Sequence, residues 1–313
     1  MKYFVKKLIT LILTLLLISL LTFAAFTVIP GDAAVSKLGT DAGAEQVEEL
    51  REEMGLNDPL PVRYVSWLTS AVQGDFGESY QYSSLTVAEL LSTRLPVTVL
   101  LAVMAFLIIL IISVPLGIFS ALHAGRWIDT LINQVSQFIM AVPAFFLGLL
   151  MTYIFGIVLK WFQPGAFVHP SEDFWGSVRY LIFPAFAVAL PKTAMVIKFL
   201  RNSILSEVNK DYVRTARSKG AGDLRILYGH VLKNALLPVI TFLAMVIAEI
   251  LAGSIVVEQV FDLPGMGRLL ITSISARDYP VVQAIVIYIT TVVVVINFIV
   301  DLVYQLVDPR VQT

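Results

Sequence analysis

The chain contains no cysteine among its 313 residues. Disulfides, thiolate metal sites and a cysteine nucleophile are therefore excluded, and any part outside the cytosol must hold by packing alone. Charge is scarce as well: 14% of residues are Asp, Glu, Lys or Arg, and the net charge of −1 points to no nucleic-acid partner. Histidine occurs three times, at His123, His169 and His230, always away from the centre of an apolar run. No His-Glu-x-x-His is present, so an intramembrane enzyme would lack the metal ligands or nucleophile–base pair it needs. No Gly-x-x-x-x-Gly-Lys-Ser/Thr loop is present either, so the chain cannot cradle ATP phosphates by that device. No convincing internal repeat supports a secondary transporter built from inverted halves with its own ion site. What is abundant is apolar: 58% of residues, with a mean hydropathy of +0.83, which places the chain in the membrane class.

Six apolar runs follow in order. Leu8 to Ile29 is unbroken and preceded by Lys2, Lys6 and Lys7, which puts the N-terminus in the cytosol. A cleaved signal peptide is the competing reading, but its core would be shorter and Ala24-Ala25-Phe26 is a poor cleavage site. The next spans are expected at Pro96 to Leu122, interrupted by Pro115 and Gly117; within Ile128 to Leu159, with Pro143 inside; and at Arg179 to Phe199, with Pro184 and Pro191. Two more are expected at Leu236 to Phe261 and Pro280 to Val307, with an outer loop over Asp262 to Tyr279 between them. The prolines either kink helices at moving joints or are tolerated where neighbours satisfy the freed carbonyls. Trp161 and Trp175, in the loop Lys160 to Val178, suit an interfacial belt.

Between the first two spans, Pro30 to Leu95 carries eleven acids against four bases. Helices are predicted at Gln46 to Met54, at Pro61 to Val72 with Tyr64, Trp67 and Leu68 on one side, and at Leu85 to Arg94. They suggest a small helical cap on the outer face. Its acidity either belongs to an ordinary solvated surface or biases the approach of charged solutes.

The stretch that breaks the apolar pattern is Asn209 to Pro238. Between Arg201 and Lys233 there are seven bases and three acids, the mark of a cytosolic loop. Asn202 to Ser218 reads as one helical run and Gly220-Ala221-Gly222 as a break, with Asp223 as N-cap of the next helix. In that helix Leu224, Leu227, Tyr228, Val231 and Leu232 form one apolar face. The expectation is a projecting elbow docked by that face. A basic helix lying flat under anionic headgroups is the alternative, though it would need no glycine pair.

Polar residues inside the spans mark a candidate translocation path: Asn133, Gln137, Glu249, Gln283 and Asn297. Asn133, Gln134 and Gln137 also suit bonds between helices. Glu249, near mid-span, either meets a cationic substrate group or bonds to a neighbouring helix. Lys192 and Asp301 are expected near the inner ends of their spans, where snorkelling is cheap.

Arg214-Thr215-Ala216-Arg217-Ser218-Lys219-Gly220 resembles the Glu-Ala-Ala-x-x-x-Gly loop of binding-protein-dependent ABC importer permeases. Here Arg214 stands at the acidic first position, and the leucine-proline that follows is displaced to Leu237-Pro238; both departures resemble the oligopeptide, dipeptide and nickel branch. Gly74-Asp75-Phe76-Gly77-Glu78-Ser79, Val256 to Gly267, Arg277 to Gln283 and Asp308-Pro309-Arg310 resemble the same branch, in order along the chain.

The resemblance implies an all-α membrane protein of six transmembrane helices, with the type I ABC importer (MetI-like) fold and a small helical extracytoplasmic insert. Residues 1–29 would form the tail and first span, 30–95 the insert, 96–307 the permease core with its cytosolic coupling segment at 201–235, and 308–313 a cytosolic tail. Asp211, Tyr212, Arg214, Thr215, Ala216, Arg217, Lys219, Gly220 and Ala221 would meet an ATPase. The implied partners are a second homologous permease subunit, two cytosolic ABC ATPase subunits and an extracytoplasmic solute-binding protein, in a prokaryotic inner or plasma membrane. ATP and Mg would be used by the ATPase, with no cofactor on this chain and no catalysis by it. Short peptides are the implied cargo; nickel or a metal chelate is the alternative.

Overall fold

The computed structural model describes residues 2–28, 33–38, 42–82 and 85–307. The Asp308-Pro309-Arg310 motif, the tail at 308–313, Asp32, Asp41 and the side chain of Asp301 lie outside the described residues. Among the described residues the regular structure is helical, save for one isolated bridge between Glu78 and Thr86. Two compact units divide the chain: Met1–Thr98 with Pro264–Phe298, and Val99–Leu263 with Ile299–Thr313.

The first unit begins with α1 (Lys2–Val28), α2 (Ala33–Leu38), α3 (Ala44–Glu53) and α4 (Leu60–Val72). The predicted aromatic side of α4 docks on α1: Phe23 meets the rings of Tyr64 and Trp67 at 5.4 and 5.8 Å, and the Ser19 and Tyr64 hydroxyls share a 2.8 Å hydrogen bond. The third predicted helix of the insert does not stand alone. It runs without a break through Pro96 into α5 (Val87–Leu122), and neither Pro115 nor Gly117 interrupts that helix. The stretch read as an outer loop contains α12 (Met266–Ser275), which precedes α13 (Tyr279–Val307). Val87, Leu90, Met266, Leu269, Val281, Ala284 and Ile285 form this unit's core. Asp278 is fully buried there. It accepts from the Ser79 hydroxyl and from the Tyr80 and Gln81 amides at 3.1 and 3.3 Å. Two of the motif stretches, around Ser79 and Asp278, are thereby bonded to each other.

The second unit is centred on α8 (Phe174–Val208), which carries more buried side chains than any other helix of the unit. Asp173 caps it by accepting from the Gly176 amide at 2.9 Å. Pro184 and Pro191 stay within the helix. α6 (Trp127–Ala141) and α7 (Ala144–Met151, continuing as a π-helical segment Thr152–Val158) meet at 93°. The third apolar run is therefore a broken pair, not one straight helix. Pro143 excludes helical geometry at Val142, whose ψ is 122°, and itself starts α7. A Cβ at Gly117 would lie 3.0 Å from the Leu200 side chain, so α5 and α8 approach closely at that point.

Among the described residues five helices are long and apolar enough to cross a membrane, and six if the bent pair counts as one span. Both counts describe an all-helical membrane protein.

Candidate coupling elbow and polar path

The elbow is assembled from short helices and two tight breaks. The run predicted as one helix from Asn202 to Ser218 is split: α8 ends at Val208, Asn209 and Lys210 turn the chain, and α9 spans Asp211–Ser218. Glu207 holds that turn. Its carboxylate accepts from the Lys210 ammonium at 2.5 Å and from the Tyr212 hydroxyl at 2.7 Å. The bond to Glu207 holds the Lys210 pKa above its ordinary value. Tyr212 is also raised, first by burial of its phenol and further by Glu207.

α9 ends in a Schellman closure. Gly220 takes φ +84°, its amide donates to Arg217 O at 3.0 Å, and the Ala221 amide donates to Ala216 O at 3.2 Å. Ala216 and Ala221 both lie against the same apolar cluster, as the accompanying hydrophobic contact requires. A side chain at residue 220 would meet nothing within 4 Å, so glycine is needed there for conformation, not for space.

Gly222, not Asp223, occupies the N-cap of α10 (Asp223–Ile226). The Asp223 carboxylate instead accepts from Arg217 at 3.2 Å, across the glycine break. Leu227–Val231 is π-helical and leads into α11 (Leu232–Val260). That segment alters the predicted apolar face: Leu227, Val231 and Leu232 keep to it, while Leu224 and Tyr228 leave it. Ile226, Leu227, Val231, Ala235 and Val239 are buried, while Leu224 and Tyr228 are 64% and 56% exposed. The wider π turn shifts the register so that the buried set runs on the i, i+5 step from Ile226 to Val231.

The result is a two-sided elbow. Val213 is buried, and Tyr212, Ala216 and Ala221 pack on the cluster that includes Leu200, Ile204, Leu227 and Val231. Asp211, Arg214, Thr215, Arg217, Lys219 and Gly220 are exposed on the opposite side, beside Leu224 and Tyr228. Its exposed face is basic with two apolar side chains, and the second feature was not legible in a regular helical wheel.

The polar residues of the spans separate into groups. In the second unit, Gln137 accepts from Lys198 of α8 at 2.5 Å, and Asn133 donates to the Asp129 carboxylate and carbonyl at 2.8 Å. Gln137 thus ties α6 to α8, one of its two readings, whereas the Asn133 bonds stay within α6. Asp129 is buried and receives the Arg201 guanidinium at 2.6 Å on both oxygens, with the Ser120 hydroxyl at 2.6 Å and the Gly125 amide at 3.0 Å. Sequence reading missed this hub, because its members stand apart along the chain. Glu249 pairs with Lys192. Lys192 stands near the middle of the 35-residue α8, and Glu249 is exposed while bonded to the neighbouring helix. In the first unit Gln283 is half-buried and Asn297 exposed, both on α13.

Long apolar helices, two of them joined by a polar elbow, define a multi-pass membrane protein. The chain belongs to the family of inner membrane components of binding-protein-dependent transport systems, which matches residues 113–313; the family's N-terminal membrane component matches residues 1–102. These are the permeases of ABC importers. The chain is 38% identical over 312 residues to an oligopeptide transport system permease protein of Bacillus subtilis (strain 168), covering 99% of both chains. It is 36% identical to a putative peptide permease protein of Brucella suis biovar 1, over 95% of each. It is 33% identical to a probable peptide ABC transporter permease protein of Sinorhizobium fredii, over 99% of each.

Proposed function

We propose that the chain is the permease subunit of an ATP-driven importer of short peptides, forming half of the translocation pore. The observation that carries the coupling role is the elbow: a Schellman-closed α9 docked through Val213 and Ala216, with Arg214, Arg217 and Lys219 turned outward. Such a joint transmits force because its inner side is packed on the C-terminal end of α8 and the start of α11. A push on residues 209–222 tilts both helices together, and alternating access follows as rigid-body rocking.

The force comes from two cytosolic ABC ATPase subunits, which use ATP and Mg. A second homologous permease completes the pore and an extracytoplasmic solute-binding protein delivers the cargo. The basic elbow faces the cytosol, as do both termini, and the insert lies outside. The names of the relatives favour peptides over the nickel alternative.

Proteoliposomes containing the permease pair, the ATPases and the binding protein test the reading. The expected result is ATP-dependent uptake of short peptides, with Gly220→Pro or Ala216→Glu retaining assembly and ATP hydrolysis but losing uptake. Full uptake by both variants would overturn the coupling role.

A further inference from the structure

α8 and α11 run antiparallel, and three contacts step along their seam. Lys192 pairs with Glu249, the rings of Phe199 and Phe242 stack with centroids 4.4 Å apart, and the Ser203 hydroxyl donates to Ala235 O at 2.7 Å. The Lys192–Glu249 pair is the charged one, and it lies near the middle of both helices. The pair leaves the Glu249 side chain 45% exposed and that of Lys192 24% exposed. Both residues lie within helices long and apolar enough to span a membrane, where a charge facing hydrocarbon costs up to about 2.5–3.5 kcal/mol on insertion scales and a water-facing one avoids that cost. Intramembrane charges so placed line water-filled paths. Along the same stripe of α11, Met245 and Val256 are exposed and bring no competing charge.

We propose that Lys192 and Glu249 form the subsite that receives the two ends of a zwitterionic peptide in transit, Glu249 taking the α-ammonium and Lys192 the α-carboxylate. This rests on the peptide reading above and adds residues to it. The exchange is balanced. Before entry each side chain neutralises the other; after entry each has an opposite charge from the cargo, and no charge is stranded. A bare cation that displaced Lys192 from Glu249 would leave an unpaired ammonium beside it, and an anion would strand Glu249. The pair therefore selects against solutes of net charge. Because one ion pair is traded for others, cargo is held loosely, as passage requires.

Uptake of one tripeptide in free, N-acetylated and C-amidated forms, by the full transporter in proteoliposomes, tests the assignment. Every variant uses the same binding protein, so a change in preference belongs to the permease. Lys192→Met should reduce the preference for the free over the C-amidated peptide by on the order of tenfold, leaving the N-terminal preference intact; Glu249→Gln should do the reverse. The swapped pair Lys192→Glu with Glu249→Lys keeps the helices tied, and should restore assembly and uptake of the free peptide. Equal loss for every form of the peptide, or unchanged preference with normal uptake, would overturn the assignment and leave the peptide reading standing. Failure of the unsubstituted transporter to import any form would overturn both.

Discussion

Gly220 is the residue on which the elbow turns. Its φ of +84° lies in the left-handed region, where an L side chain costs roughly 1–2 kcal/mol. Gly220→Ala should therefore lower the stability of the elbow by that amount without a clash, read as faster amide exchange over residues 211–222. Proline fixes φ near −65° and also removes the amide that closes α9, so Gly220→Pro should abolish the closure. Glu207 is the second controlling residue, since it holds both Lys210 and Tyr212. Tyr212→Phe should cost about 1 kcal/mol at the turn. Both partners keep their protons more tightly in the folded elbow than in the unfolded chain. Their contribution is thus fully present below the ordinary tyrosine value of about 10 and is lost as pH rises through the elevated values. The ratio of uptake to ATP hydrolysis should be flat from roughly pH 6 to 9 and fall in stronger alkali. A decline centred near neutrality would contradict this account of the turn.

At the scale of the elements, α8 is held by polar ties to α6 and α11 as well as by packing. The tie between Asp129 and Arg201 is well enclosed, with side-chain exposures of 5% and 18%. Removing one partner strands a buried charge, so Arg201→Met should destabilise by about 3–5 kcal/mol, whereas Arg201→Met with Asp129→Leu should cost much less. Thermal unfolding in nanodiscs would measure both. Gly117→Leu should separate α5 from α8, because even a Cβ there lies 3.0 Å from Leu200. The long apolar elements were legible in the sequence because span length and hydropathy are local properties. Breaks set by tertiary contact were not. Pro115 lies inside an unbroken helix, while Pro143 makes a 93° bend, since the outcome depends on which neighbours can satisfy the freed groups. The π turn at Leu227–Val231 reversed the exposure expected for Leu224 and Tyr228. The glycine hinge and the basic face of the elbow were readable because φ preference and charge belong to single residues. The Asp129 hub was not, because Ser120, Asp129 and Arg201 meet only in the folded unit.

For the whole molecule, the central claim is that this permease receives force through the elbow from a cytosolic ATPase. The absence of native cysteine gives a clean background for site-directed crosslinking. Arg217→Cys, in membranes holding the assembled transporter and an ATPase with a single surface cysteine, should form a disulfide crosslink whose yield changes when ATP is added. The same cysteine should resist labelling by lipid-phase reagents. Labelling from the bilayer or from the external solution, with no crosslink to the ATPase in any nucleotide state, would contradict the claim.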